Sequence, residues 1–383
     1  MLYMQDNFNS EISKRRNKDS IENLVTKEYD LENLSVGVIG SHSALEIMDG
    51  AKDEGLRTVC ICQRGRELPY LKYKRLYNDL IMVDKFSDIL FKENQQKLKD
   101  LNSIMIAHRS FAVYLGFDNI EKNFDIPVYG NRWLLKAEER NLPKNQYYLL
   151  KKANISYPKI YASPQEIDGP AIVKVQEASR KLERAFFFVN SFEDYKTKSA
   201  DRIAKGIIEE QDLKNNSVIE QYLIGTYFNF NFFYSPLDNE TEFLGIERRL
   251  QTNIHDFTTS LPARDQFELD VKLQNIEVGH TPASIRESLL DGVFKAGERF
   301  VEVTKKEYPP GIIGPFSLQS VITVDLDIVV YDVSMRVPGN PILATTSPYT
   351  KYKYGETFGV GRRIAMEIKK ALGSKEKLVK IVT

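Results

Sequence analysis

The sequence predicts a chain in two parts, a small parallel α/β domain followed by a larger α+β region built on mixed sheets. Three observations predict this. Between Leu34 and Gly130, short apolar strand-like runs alternate with helical patterns. From Ile167 onward, aromatic and β-branched residues become dense enough for a half-buried sheet. Finally, Gly311 to Gly339 (GIIGPFSLQSVITVDLDIVVYDVSMRVPG) sets two β-branched runs around a polar turn, the pattern of a β-hairpin.

Residues 1–34 are charged and short of apolar periodicity, which predicts a polar N-terminal extension, either a surface helix or partly disordered. The parallel domain is expected over 35–132. It reads LSVGVIG, a helix from Ala44 to Glu54, LRTVCIC, DLIMVDKF, NSIMIAH, a helix near Phe111 to Asn119, and IPVYG. The stretch RWLLKAEERNLPKNQYYLLKKANI has Leu, Ala and Tyr at helical spacing. It opens a unit over 133–223 in which GPAIVKV and SVIEQ are strands and the charged segment Glu193 to Asp212 is helical, as in a small lid. Residues 224–383 form the last unit, which carries the hairpin. Its final helix, GVGRRIAMEIKKALG, has one apolar and one basic face, and packing accounts for it better than binding.

Composition narrows the function. With 383 residues, 42% of them hydrophobic, the chain can bury substantial cores. Lys+Arg and Asp+Glu both number 53, so no global basic field favours nucleic acid and any anion site is local. No run of 18 apolar residues is present and the start is polar, so membrane span and secretion are not expected and a cytoplasmic protein is. Cys60 and Cys62 are too close in one strand to pair with each other and read as buried thiols.

Ligand-type side chains fall at spaced positions. If the hairpin turns on Asp325-Leu326, residues whose numbers sum to 651 face each other, which sets Gln319 opposite Asp332 and puts Asp332, Ser334 and Arg336 on one face. Two opposed oxygen ligands with a guanidinium nearby suit a hard cation holding a polyphosphate. A solvated sheet face is the plainer explanation of the same residues. Lys174 inside an apolar strand must reach water or meet a charge. The pair Glu220-Gln221, followed by Tyr222, interrupts another strand, and ERRLQTNI adds Glu247 and Asn253. Two strand ends in the first domain, GSHS (40–43) and HRS (108–110), offer backbone N–H groups and the side chains of His42 and Ser110 at the edge where parallel sheets bind ligands. The first is not the dinucleotide fingerprint, because its later glycines are missing. A satisfied turn histidine would also explain His42.

The ordered series GSHSAL, AHRSF, IVK, IEQYLIGT, ERRLQTNI, IRESLL, PPGIIGPFSLQS and VYDVSMRV resembles the archaeal formate-dependent 5-formaminoimidazole-4-carboxamide ribonucleotide synthetases, from about Ser35 to the end of the chain. The resemblance implies an ATP-grasp fold preceded by a small Rossmann-like domain, and an ATP-dependent carbon–nitrogen ligase of purine (IMP) biosynthesis. Formate and 5-aminoimidazole-4-carboxamide ribonucleotide are the implied substrates, with ATP and Mg2+ or Mn2+ as cofactors and a homo-oligomer, of hexamer size, as the assembly. It matches His42, Ser110 and Asn253 to the nucleotide substrate and Gln319 with Asp332 to the metal, where the family usually has Glu in place of Asp332. Lys174, Glu220, Gln221, Tyr222 and Glu247 fall to ATP, and Lys174 with Arg336 are the candidate catalytic cations.

One departure concerns the segment after IVK, where the family has a glycine-rich loop over the phosphates. Here residues 175–189 read VQEASRKLERAFFFV, with no glycine. Backbone N–H groups then lose the positive-φ conformations that let them approach phosphate. Either Arg180, Lys181 and Arg184 replace dipoles with charge, or the loop is degenerate. In the second case the protein is a paralogue that binds nucleotide without catalysis or joins another carboxylate and amine.

Overall fold

The computed structural model describes residues 19–140, 142–175, 185–251, 260–268 and 277–383. Strands β1 (Ser35–Ile39), β2 (Arg57–Gln63), β3 (Asp79–Val83), β4 (Ser103–Ile106) and β5 (Val128–Tyr129) form a parallel sheet in the order β3-β2-β1-β4-β5. Every residue of β1 and β4 is buried, as expected of strands covered on both faces. The chain leaves β1 to one side and returns on the other as β4, so their carboxyl ends flank a topological switch point. Cys60 and Cys62 are buried free thiols in β2.

The N-terminal extension needs a correction over its described part. Residues 19–28 are helical, and Ile21, Val25 and Tyr29 are buried against the first domain, with the Tyr29 hydroxyl donating to Ser103 O at 2.7 Å. The apolar stripe, Ile21, Leu24, Val25 and Tyr29, follows helical spacing, but it is short and set among charges.

A second sheet is antiparallel, in the order β12-β11-β10-β13-β14, from β10 (Thr226–Ser235), β11 (Glu240–Gln251), β12 (Glu277–Ala283), β13 (Gly314–Ile322) and β14 (Ile328–Ser334). Alternation in β10 sends Phe228, Phe230 and Phe232 to a core covered by helix Glu287–Glu307 and sends Asn229 and Asn231 to the other face. A third sheet, in the order β6-β9-β7-β8, joins β6 (Ile160–Tyr161), β7 (Ala171–Val175), β8 (Ala185–Val189) and β9 (Ser217–Gln221). Val173, Val175, Phe187, Val189 and Ile219 form its own small core beneath helices Phe192–Ala204 and Glu210–Asn215. Lys174 and Glu220 lie on its opposite face.

The hairpin opposes Gln319 and Asp332 as expected, but by a different route. Near the turn the partners are Ile322 with Ile328, Val321 with Val329 and Ser320 with Val330, one step away from the expected register. The turn therefore centres on Asp325, with Leu326 at φ 65° and the Thr323 N–H donating to Asp327 O at 3.1 Å. A bulge at Tyr331 inserts the residue that brings Asp332 back opposite Gln319.

The last helices return to the first domain. Val360–Ala371 packs on Ala44–Asp53 so closely that a Cβ on Gly361 would lie 2.3 Å from Glu46 O. Ile364 and Ile368 of this helix join the first-domain core, so packing is its role, and Leu378 and Ile381 join it from a further helix, Lys375–Ile381, that the sequence pattern did not separate. Beyond β14, the Val337 N–H donates to Ala107 O at 3.1 Å, bringing the hairpin's exit against the carboxyl end of β4.

Candidate active site

Register builds one polar rank across the antiparallel sheet. Asp332 on β14 faces Gln319 on β13, which faces Asn229 on β10, which faces Glu247 on β11. The next rank is Ser334, Ser317, Asn231 and Gly245. Since strand side chains alternate, both ranks share the face opposite the aromatic core. Gln319, Asn229, Asn231, Ser317, Ser334 and Glu247 are all buried. Gln319 Oε1, Asn231 Oδ1 and Ser317 Oγ make no hydrogen bond among the described residues, so this face offers acceptors to a ligand.

The third sheet meets this face through a charged cluster. Glu220, 1% exposed, accepts a hydrogen bond from Lys174 Nζ and another from Tyr147 Oη at 2.5 Å. Arg140 lies 3.4 Å from Glu220 Oε1 and donates to Asp332 Oδ1 at 2.7 Å, tying β9 to β14. Burial lowers the pKa of Lys174, and the Glu220 carboxylate opposes that shift. Burial alone would raise Asp332, but Arg140, Lys174 and Arg249 outweigh it and hold the carboxyl below its ordinary range. Lys174 Nζ also sits 5.9 Å from the ring centre of the bulged Tyr331.

At the far end of the rank, Asn229 Nδ2 donates to Glu247 Oε1 at 2.6 Å. His280 then spans two carboxylates, with Nδ1 2.8 Å from Glu247 Oε2 and Nε2 3.0 Å from Glu277 Oε1. Burial opposes its charge, yet these two hydrogen bonds raise its pKa to about 9. Arg249 pairs with Glu277 at 2.9 Å.

At the switch point, His42 adopts φ 51° in the turn after β1. Ser43 Oγ donates to Pro338 O at 2.9 Å, so its 2.6 Å contact with His42 Nδ1 is a bond donated by the imidazole, leaving the lone pair on Nε2. Ser110 Oγ donates to Ser41 Oγ at 3.0 Å, joining the two strand ends. His108, fully buried, caps helix Arg109–Leu115 by accepting from the Ser110 N–H and donates from Nε2 to Ile39 O at 2.9 Å. Burial lowers its pKa to about 4, so it is a neutral structural residue. Arg336 reaches the same region and pairs with Glu138 at 3.4 Å, while its Nε is buried without a hydrogen bond.

The structure thus gathers Lys174, Glu220, Glu247, Gln319 and Asp332 on the facing surfaces of two sheets, with His42 and Ser110 together at the switch point and Arg336, just past β14, beside them. It does not bring the side chain of Gln221 there. Strand alternation turns it away from Glu220 into solvent, where it accepts from the Lys159 N–H. Tyr222 packs its ring against Phe188, 4.8 Å between centres. Asn253, Arg180, Lys181 and Arg184 lie outside the described residues. Sequence reasoning missed Arg140, Tyr147, Asn229 and His280. The alternation of Asn229 and Asn231 with phenylalanines was a usable sign of a polar rank; the other three carried no local signal.

These residues fit a divalent cation. Gln319 Oε1 is a buried acceptor without a partner, set in register with the Asp332 carboxylate, and paired oxygen donors of this kind suit a hard ion. Arg140 is the cation already paired with Asp332.

Comparison with known proteins gives matches along most of the chain. Residues 194–383 match a family described as a domain of unknown function (DUF1297), and 36–161 match a protein of unknown function (DUF1246). The chain is 42% identical over 357 residues to the 5-formaminoimidazole-4-carboxamide-1-(beta)-D-ribofuranosyl 5'-monophosphate synthetase of Methanocaldococcus jannaschii, covering 93% of this chain and 96% of that one. It is 40% identical over 348 residues to the synthetase of the same name from Methanopyrus kandleri, covering 91% and 94%. Among solved structures, an IMP biosynthesis protein PurP from Thermococcus kodakaraensis is similar with TM-score 0.68 and 26% identity, covering 91% of this chain and all of that one. The ADP complex of the N5-carboxyaminoimidazole ribonucleotide synthetase purK, at TM-score 0.58 and 13% identity over 86% and 78% of the chains, shares the fold.

Proposed function

The chain belongs to the family of 5-formaminoimidazole-4-carboxamide ribonucleotide synthetases, ATP-grasp ligases of purine biosynthesis, and on that footing we propose how its own residues divide the ATP- and formate-dependent formylation of 5-aminoimidazole-4-carboxamide ribonucleotide. The carrying observation is the polar rank Asp332-Gln319-Asn229-Glu247 facing Lys174 and Glu220 across the two sheets. We assign the polyphosphate to the region between them. The open face of the third sheet, with Ile172, Phe186 and Phe188 beside Lys174, offers an apolar wall to a purine base.

A formate oxygen attacks the γ-phosphorus of ATP, the bond to the ADP oxygen breaks, and formyl phosphate forms. Lys174 and Arg140 stabilise the charge moving onto the transferred oxygens. Gln319 Oε1 and Asp332 would hold a divalent cation, whose chemistry is to offset the negative charge of the polyphosphate. The buried Arg336 guanidinium, which Glu138 pairs with at 3.4 Å, holds the formate carboxylate. His42 and Ser110 hold the ribonucleotide at the switch point, with its exocyclic amine turned toward the hairpin. The amine then attacks the formyl carbon, its C–O bond to phosphate breaks, and inorganic phosphate leaves with the product. No protein nucleophile is needed, and positioning supplies the catalysis.

Arg180, Lys181 and Arg184 take the place of the missing loop glycines. The test is phosphate release by purified protein. It should require formate and 5-aminoimidazole-4-carboxamide ribonucleotide together, without folate, and should be abolished by neutralising the three bases. Tight binding of ATP and the ribonucleotide with no formylated product would refute the ligase reading for this chain and favour a paralogue that only binds nucleotide. A homo-oligomer is the assembly we expect.

A further inference from the structure

The Asn229–Glu247–His280–Glu277 chain lies at one end of the polar rank, and two of its members, His280 and Glu277, have no part in the reading above. Its hydrogen bonds fix its charges. A carboxylate only accepts, so Asn229 must present Nδ2 to Glu247, and its amide oxygen is thereby turned toward β13 and Gln319. By the same rule both ring nitrogens of His280 must donate, one to each carboxylate, which only the imidazolium can do. Glu277 has a second cation in Arg249, at 2.9 Å. Glu247, 2% exposed, has His280 as its hydrogen-bonded cation among the described residues, while Arg249 acts on it only through space.

We propose that His280 is a positioning residue for the reaction, a fixed imidazolium that cancels the Glu247 charge beside the polyphosphate and holds Glu247 so that Asn229 keeps its oxygen toward the hairpin ligands. The inference rests on the phosphate-site reading of the polar rank. A bare, buried Glu247 carboxylate one strand from Asn229 and two from Gln319 would repel the phosphates of an incoming nucleotide. It would also leave an unpaired charge in the interior. With His280 in place, the rank presents neutral amides and the single carboxylate of Asp332.

The experiment is a thermodynamic cycle on MgATP binding, measured by calorimetry with the full chain near neutral pH. His280→Gln retains a donor and removes the charge, and should weaken MgATP binding at least about tenfold, or about 1.4 kcal/mol. Binding of the ribonucleotide alone should change much less. The decisive arm is the double variant. If His280 acts by neutralising Glu247, adding Glu247→Gln to His280→Gln should bring affinity back to within about threefold of Glu247→Gln alone. A merely structural histidine would show no such rescue, because the second substitution would add its own loss. His280→Asn serves as the parallel variant should His280→Gln fold poorly, and the double variant reports by itself if both single variants do. MgATP affinity unchanged in His280→Gln, or lost further in the double variant, overturns the inference while formylation by the wild type leaves the parent reading standing. A wild-type protein that binds no MgATP overturns both.

Discussion

Replacing Asp332 with Asn tests the hairpin at its centre, because the carboxylate has two partners that the substitution separates. In the free protein it faces Arg140 at 2.7 Å and, through space, Lys174 and Arg249. In the loaded protein it would share a dication with Gln319. Asp332→Asn keeps the shape and removes one negative charge, so the cluster of Arg140, Lys174 and Glu220 becomes net positive. For a phosphate about 8 Å away at an effective dielectric of roughly 20, one unit of charge is worth on the order of 2 kcal/mol, about 30-fold in affinity. Metal-free ATP should therefore bind more tightly to the variant. MgATP should bind more weakly by at least about tenfold, or about 1.4 kcal/mol, since a dication has lost its only charged ligand in the rank. The assay is ATP affinity by calorimetry with and without magnesium, and the quantity to read is the ratio of the two dissociation constants. The metal-free constant divided by the magnesium one should fall by about two orders of magnitude with both arms in full, and by about tenfold if screening mutes the metal-free arm. A ratio equal to that of the wild type would refute the assignment of Asp332 to the metal.

His42→Ala and Ser110→Ala should weaken ribonucleotide binding and leave ATP affinity nearly intact, because the switch point is separate from the polar rank; equal losses for both ligands would indicate a folding defect instead. His280 contributes stability that is fully present below its ordinary pKa of about 6.5 and is lost as pH rises through about 9, by up to about 3 kcal/mol. Thermal melts between neutral pH and pH 10 should show the decline in the wild type and a flatter profile in His280→Gln. Gly297→Ala in helix Glu287–Glu307 places a methyl 2.5 Å from Phe232 Cε1, and that ring is itself stacked on Phe316 at 5.0 Å. Overpacking should cost about 1–3 kcal/mol, more than the roughly 1 kcal/mol of helix propensity that alanine contributes, and a raised melting temperature would contradict it.

Much of this molecule follows from local pattern. The continuous apolar runs of β1 and β4 announced strands covered on both faces, and the Gly-Ser-His-Ser turn after β1 announced a strand-to-helix junction. Alternation within β13, and within β14 from Asp332 onward, put Gln319 and Asp332 on a polar face, because side-chain direction along a regular stretch of strand follows parity. The short N-terminal stripe of Ile21, Leu24, Val25 and Tyr29 was not legible because so few apolar residues among charges give a weak period until a partner surface exists.

What tertiary structure decided is which distant polar groups meet. The opposition of Gln319 and Asp332 rests on a bulge at Tyr331 that compensates for the turn, and a bulge reflects the packing of Tyr331 near Lys174 and against Tyr227 as well as its own sequence. Arg140 and Tyr147 come from a segment whose charges resemble any solvated helix, yet they complete the pairing of Lys174 with Glu220. His280 gained its charge in the same way, since two carboxylates from β11 and β12 converge on it only when the edge strand is in register. Local sequence determines direction and burial through steric and hydrophobic periodicity. Charge state, register and partnership depend on energies between groups far apart in the chain, and those are set only when the sheets close on one another.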